Sequence, residues 1–278
     1  MMTNKKDLAI VYRIYPGVSK IPIIYPEDKF ELSKVAVKSL KDALGKLNVK
    51  FWIILDNCPD IYENLFKEIL FNYDVEFLHL NGVGNYGTYE KQIEILINQN
   101  IAETVYLAED DYLFLPNALE EAYKYFNSSN DVDFITIYDN LDYYKRQLHS
   151  YQSVIRFHSK TIWRTVSCTT GSFMTSKTLL KKNRWIFETL SKNNNFDSSL
   201  WMSLTKKNIL QLSSLYRFLK SQDRDLIRII KSWLFCWRQI LFGKKYKLWA
   251  PLPSLGTHLD KDGISPTINW KDVYEKYN

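Results

Sequence analysis

At 278 residues and 46% hydrophobic, with 24% charged and 15% aromatic side chains, the chain is too apolar for a disordered protein and long enough to bury a large core. Its three cysteines, Cys58, Cys168 and Cys236, are far apart and odd in number, which fits a reducing compartment better than a disulfide framework. The formal charge of +6 is uneven: residues 206–247 hold 11 Lys/Arg against two Asp, a local +9 that leaves −3 for the remainder.

The first apolar run, Leu8 to Tyr12, is broken by Arg13 well short of signal-peptide length, so no export signal is expected. No uncharged apolar stretch reaches the length of a membrane span, and no Cys-X-X-Cys or Cys/His cluster points to structural zinc. Asp7 to Tyr12 reads as a buried strand, with Arg13-Ile14-Tyr15-Pro16-Gly17 as the turn behind it. A helix is expected from an N-cap at Ser33, with Val35, Ala36, Leu40, Leu44 and Leu47 on one face. Phe51 to Leu55 forms the next strand and ends at Asp56; a helix over 60–72 leads to a third strand, Val75 to Leu80. After the glycine-bearing loop 81–87 comes a helix over 88–99, and then a strand, Thr104 to Ala108, that runs into Glu109-Asp110-Asp111. Pro116 opens the helix that follows, with Ala118, Leu119, Ala122 and Phe126 on its buried face.

This β-α-β-α-β-α-β order with short connections predicts an α/β fold, a doubly covered parallel sheet whose strand C-termini open on one crevice. Tyr12, Arg13, Asp56 and the acidic triplet all fall at such ends, so four separated segments converge there. Three adjacent carboxylates cannot lie along a buried strand and must emerge at its edge. Acidic triplets are common in exposed loops; what sets this one apart is its place between a strand and a helix. Hard oxygen ligands in that place suit Mg²⁺ or Mn²⁺, with substrate phosphates completing the shell. Gly82-Val83-Gly84-Asn85-Tyr86-Gly87 matches Gly-X-Gly-X-X-Gly by letters. It follows a third strand instead of opening a first βα unit, and the acids lie too far on for a ribose hydroxyl, which disfavours a dinucleotide site.

Beyond the acids, Phe134 to Tyr138 reads as a strand, 139–160 as a polar, aromatic, mobile loop, and Trp163 to Met174 as a strand running into a small-residue turn at Gly171. Asp197 is placed as the N-cap of a short helix.

Glu109-Asp110-Asp111 at a strand end, followed by a short apolar stretch and Pro116-Asn117-Ala118-Leu119, resembles the Asp-X-Asp region of nucleotide-sugar-dependent glycosyltransferases of the GT-A fold, the family-2-like kind that builds bacterial surface glycans. The resemblance implies a Rossmann-like, mostly parallel sheet covered by helices, with amphipathic helices towards the C-terminus. It implies Asp111 as the ligand of Mn²⁺ or Mg²⁺, with Asp110 and Glu109 facing the donor, Asp56 accepting from the nucleotide base and Lys91 facing the nucleotide. Gly171 would pass near the donor sugar and the acceptor. Asp197 would deprotonate the acceptor hydroxyl in an inverting transfer, although the family's commoner form is Glu-Asp and Phe196 stands where that Glu would be. His258 would supply a second metal ligand, and the tail Ile264 to Trp270 would close over the donor. The donor implied is a nucleotide sugar, UDP-linked in the commonest case, and the acceptor a glycan or lipid-linked sugar.

The basic charge falls largely on one amphipathic segment. At about 100° per residue over 224–242, Arg224, Asp225, Arg228, Lys231, Ser232, Arg238 and Gln239 share one arc. Leu226, Ile229, Ile230, Trp233, Leu234, Trp237, Ile240 and Leu241 cover the other. Such a helix either lies on an anionic membrane surface or packs its apolar arc on the protein's own core with the basic arc in solvent. Nucleic acid is not expected as a partner, because the aromatics lie on the apolar arc, where they are poorly placed to stack on bases. The chain thus divides into a catalytic core over 1–205, a membrane-facing helical segment over 206–247 and a segment over 248–278 that returns to the site. Localisation at the cytoplasmic, inner face of a membrane follows. The alternatives are a nucleotidyltransferase on a similar sheet and a non-catalytic membrane scaffold.

Overall fold

Strand β1 (Leu8–Ile14) alternates sides: Leu8, Ile10, Tyr12 and Ile14 face one core and Ala9 and Val11 the other, with all six buried. A strand apolar on both faces belongs in mid-sheet, and there it lies. In the structure, a computed structural model that describes residues 5–18, 21–149, 151–210 and 225–278, β1 pairs in parallel with β2 (Val49–Asp56) and with β4 (Thr104–Glu109). β3 (Asp74–Leu80) extends the parallel set beyond β2.

Helices α1 (Lys29–Ala43), α2 (Asp60–Ile69) and α3 (Gly84–Asn98) connect these strands. The chain then runs through β5 (Tyr112–Phe114), α4 (Ala118–Phe126), β6 (Phe134–Ile135), α5 (Asp142–Lys145), β7 (Ile155–His158), β8 (Thr161–Val166) and β9 (Phe173–Ser176). Four short helices follow, α6 (Lys177–Lys182), α7 (Arg184–Phe187), α8 (Thr189–Asn193) and α9 (Asp197–Thr205), then the long α10 (Asp225–Phe242), β10 (Leu248–Leu252), β11 (Gly256–His258) and α11 (Trp270–Tyr274). Among the described residues nine strands form one sheet in the order β3-β2-β1-β4-β9-β6-β10-β8-β7. β9 runs antiparallel between β4 and β6, and β10-β8-β7 closes the far side antiparallel. The architecture is α/β, a Rossmann-like sheet covered by helices on both faces. α1, α2 and α4 cover one face of the sheet, and α3 with α6 to α9 the other.

Several boundaries differ from the sequence reading. α1 starts at Lys29, capped by the Asp28 side chain on Glu31 N–H at 3.0 Å, and Ser33 lies buried inside the helix with its hydroxyl on Lys29 O. α3 starts at Gly84 because the Asp56 carboxylate accepts the Val83 and Gly84 amides at 2.9 and 2.8 Å and so caps it. Gly84 sits there at φ 74°, a conformation glycine adopts without strain. The stretch expected as a loop over 139–160 contains α5 and β7. The tail Ile264 to Trp270 does not close over the crevice. Trp270 and Val273 pack with Leu32, Val35, Leu113 and Leu259, behind α1. Residues 211–224, including Arg224 of the expected polar arc, lie outside the described residues.

Candidate functional site

Parallel strands end side by side, so β1 and β4 present Arg13 and Glu109 as register partners at one edge. The buried Gln92 amide on α3 ties the two strands together, donating to Val11 O and Ala108 O at 2.8 Å each. A cavity of about 530 Å³ opens at this edge, within the usual size of a small-molecule site. Arg13, Asp56, Glu109, Asp110, Asp111, Gly171, Asp197 and His258 all line it.

Two expected residues do not. Tyr12 alternates to the opposite face from Arg13 and is wholly buried, its ring 5.3 Å from Phe66. Lys91 falls off the helical face that Asn85, Thr88 and Tyr89 turn towards the cavity, and its Nζ pairs with Glu94 at 2.7 Å. Asp56 lines the cavity floor, but both of its oxygens are engaged by the α3 amides.

Each acid of the triplet meets a cation or an imidazole. Glu109 pairs with Arg13, whose other nitrogen reaches Asn85 O at 2.7 Å and Thr88 Oγ1 at 3.2 Å. Asp110 Oδ2 accepts from Lys29 Nζ at 2.8 Å and from Tyr15 N–H at 3.3 Å. Asp111 Oδ2 lies 3.0 Å from His258 Nε2. Burial raises the Asp110 pKa, Lys29 opposes that rise, and the neighbouring Asp111 charge adds to it. For Asp111 burial acts in the same direction, yet His258, with Lys29 and Arg13 behind it, outweighs burial and holds the carboxyl below the usual carboxylate range.

His258 reaches the site through a small second sheet, because β11 pairs antiparallel with β5 and sets His258 opposite Tyr112, next to Asp111. The imidazole is held edge to face by Tyr112 at 5.1 Å between centroids. Asp260 N–H donates to His258 Nδ1 at 3.2 Å, and Nε2 faces Asp111. His258 thus stands beside Asp111 on the cavity wall, next to the acid with which it was expected to act.

Among the described residues, the buried Asp111 Oδ1 atom has no hydrogen-bond partner. An orphaned carboxylate oxygen in a cavity fits a divalent cation, since leaving it bare costs on the order of 1–3 kcal/mol or more. Among the described residues no group of three His, Cys, Asp or Glu side chains forms a metal cage. An ion here would depend on substrate oxygens, the usual way Mg²⁺ is held.

The opposite wall of the cavity comes from α9 and the turn before β9. Asp197 is the first residue of α9, with Phe196 at the cap position and no side-chain cap bond, so the expected capping role goes unfilled. Its charge is felt by Tyr89, whose pKa is raised chiefly by burial and then by Asp197. Gly171 passes so close to the Arg13–Glu109 pair that a Cβ would stand 2.9 Å from Glu109 Oε1 and 3.4 Å from Arg13 Nη2. The sequence reading missed Lys29, which lines the cavity and is only 9% exposed. Its signal was a lysine in the first turn of the first helix, hidden by placing that helix's start at Ser33.

No protein-family model matches the chain, and no curated protein does. Among solved structures it is similar to the mannosyltransferase PcManGT from Pyrobaculum calidifontis, in complex with GDP-Man and Mn²⁺, with TM-score 0.43 and 10% identity over 75% of this chain and 53% of that one. The chain thus spans about half the length of the mannosyltransferase. It is also similar to residues 1–349 of TarS from S. aureus (TM-score 0.46, 13% identity, 85% and 75% covered). A third is the inositol-1-phosphate CTP transferase from T. maritima (TM-score 0.44, 14% identity, 99% and 96% covered). At these values the likenesses carry no chemistry across, and the function has to stand on the residues of this chain.

Proposed function

We propose that the chain is a metal-dependent, inverting glycosyltransferase of the hexosyltransferase type, moving a sugar from a nucleotide-sugar donor, with UDP the first nucleotide to try, to a glycan or lipid-linked acceptor. The observation that carries this reading is the state of the acidic triplet: Arg13 and Lys29 neutralise Glu109 and Asp110, and Asp111 keeps one buried oxygen unbonded in a cavity that also holds Asp197. A pocket with fixed cations, one metal-seeking carboxylate oxygen and a second carboxylate across the space suits a donor diphosphate at one end and an acceptor hydroxyl at the other.

Asp111 would hold Mn²⁺ or Mg²⁺, with His258 fixing its carboxylate, and the ion would offset charge on the departing nucleoside diphosphate. Arg13, anchored by Glu109, Asn85 and Thr88, and Lys29, anchored by Asp110, present preorganised positive charge to the donor phosphates. Asp197 takes the proton from the acceptor hydroxyl as its oxygen bonds to the anomeric carbon; the sugar–phosphate bond breaks on the opposite face and its electron pair leaves with the diphosphate. Gly171 keeps the wall thin beside Glu109, where the sugar would lie. In this reading 1–205 is the catalytic core, 206–247 faces a membrane at its inner, cytoplasmic side, and 248–278 returns His258 to the site.

Product analysis tests the reaction class. With nucleotide sugars and Mn²⁺, wild-type protein is expected to release nucleoside diphosphate and Asp111→Ala to release none. Release of pyrophosphate from a nucleoside triphosphate and a sugar phosphate, without diphosphate release, would assign a nucleotidyl transfer instead.

A further inference from the structure

We propose that α10 docks the protein on an anionic lipid bilayer through an apolar stripe that the fold turns outward. This deepens the preceding reading by naming the surface from which a lipid-linked acceptor would enter; vesicle binding is measured without turnover, so either reading can fail alone.

The helix does not sit as either simple amphipathic arrangement requires. Its inward side is Asp225, Ile229, Ser232, Cys236, Gln239 and Ile240, half of it polar, and the polar members are satisfied within the protein. Asp225 pairs with Arg146 and Arg228, Ser232 Oγ bonds Ser199 O at 3.0 Å, and Gln239 donates to Lys244 O at 2.7 Å. With those residues turned in, Ile227, Ile230, Leu234, Trp237, Leu241 and Phe242 are left 44–79% exposed. Apart from Phe242, they recur at three- and four-residue steps on one side of the helix, on both sides of a kink at Cys236 (φ −125°, ψ 19°).

Charge identifies what covers it. From Leu226 to Lys247 there is no acidic residue, while Lys231 and Arg238 border the stripe and Lys244 and Lys245 follow at its end. Arg238 stacks over Trp237 at 5.5 Å, an aromatic-cation pairing suited to the level of lipid headgroups. A second copy of the chain is a poorer occupant, because a two-fold contact would bring these cations against themselves. No described helix is long and apolar enough to cross a membrane, so the helix lies on the bilayer surface.

The stripe is coupled to the cavity. Lys231 Nζ lies 4.3 Å from the Phe196 ring centroid and Arg228 5.7 Å from it, and Phe196 lines the cavity beside Asp197. Docking α10 therefore sets the Asp197 side of the cavity towards the headgroups.

The test is co-sedimentation of the full chain with phosphatidylcholine vesicles, with and without about one third phosphatidylglycerol. Wild type is expected to pellet with the anionic vesicles. The Leu234→Glu/Trp237→Glu variant should bind at least about tenfold more weakly with its melting temperature kept, while Leu234→Ile/Trp237→Phe should bind as wild type does. Three results would overturn the proposal: wild type left in the supernatant, the glutamate variant binding equally well, or a dimer without vesicles that the glutamate variant dissolves.

Discussion

The crevice and α10 are the two places where this chain breaks the rule of apolar inside and charge outside, and they break it in opposite directions. In the crevice three consecutive acids are drawn into a cavity and each finds its partner within the fold: Arg13, Lys29 and His258. On α10 six apolar side chains are turned out and stay 44–79% exposed. Buried charge cannot wait for a ligand, since an uncompensated ion in the interior costs several kcal/mol and unfolds a marginal protein. Exposed apolar surface costs little in the folded state, so its partner can be external. Among the described residues lining the crevice, Asp111 Oδ1 is the buried side-chain atom left without a hydrogen bond, and it is accordingly the one that points to a ligand.

Substitutions separate the two regions. Asp111→Ala is expected to lower nucleotide-sugar turnover on the order of 10³-fold, while its far-ultraviolet spectrum stays native; a loss under tenfold would remove Asp111 from the chemistry. Lys29→Met leaves Asp110 in the cavity without its cation and should cost about 2–4 kcal/mol in urea unfolding. Adding Asp110→Asn should recover much of that, and a double mutant no more stable than Lys29→Met would show that the pair is not coupled.

His149 offers a third kind of burial, a titratable ring held by Ser167 Oγ at 2.8 Å on Nδ1 and by Cys168 Sγ at 4.0 Å on Nε2, with no salt bridge among the described residues. Burial lowers its pKa to about 4, so the unfolded state takes up the proton first as pH falls. Stability should therefore drop between about pH 6.5 and about 4 by up to about 3 kcal/mol, and this group adds no further loss below that. His149→Gln should flatten that part of the pH profile; an unchanged slope would assign the loss to other groups. The smallest effect belongs to α10, where Ile230→Ser and Leu241→Ser should each change stability by no more than about 0.5 kcal/mol. A cost of about 2 kcal/mol or more would show that the stripe is covered within the fold.

Much of the crevice was legible because its residues are local. A strand ending in three acids, a strand ending in Asp56 and a glycine-bearing loop each announce themselves within a dozen positions, and parallel topology brings their ends together. What was illegible is set by pairings across the chain. β9 slots antiparallel between β4 and β6, and β5 pairs with β11 over more than a hundred residues; neither leaves a periodic trace. Lys29 was overlooked because Asp28, and not Ser33, caps its helix, whereas Lys91 came from the family resemblance alone and on α3 pairs with Glu94 away from the cavity lining. The sequence separates the two arcs of α10, but not which half of each faces inward: Asp225, Ser232 and Gln239 are buried by partners just after α5, on α9 and in the loop after α10, and only tertiary contact decides that.

The most direct measurement of the central claim is a thermal-shift panel of nucleoside diphosphates and nucleotide sugars, each with and without Mn²⁺, on wild type and on Asp111→Ala. The account predicts that one nucleotide stabilises wild type by roughly 2–4 kcal/mol at saturation, that the effect needs Mn²⁺, and that Asp111→Ala abolishes it. If no nucleotide moves the melt with or without the ion, or if Asp111→Ala responds as wild type does, the orphaned oxygen is not a metal site and the glycosyltransferase assignment is wrong.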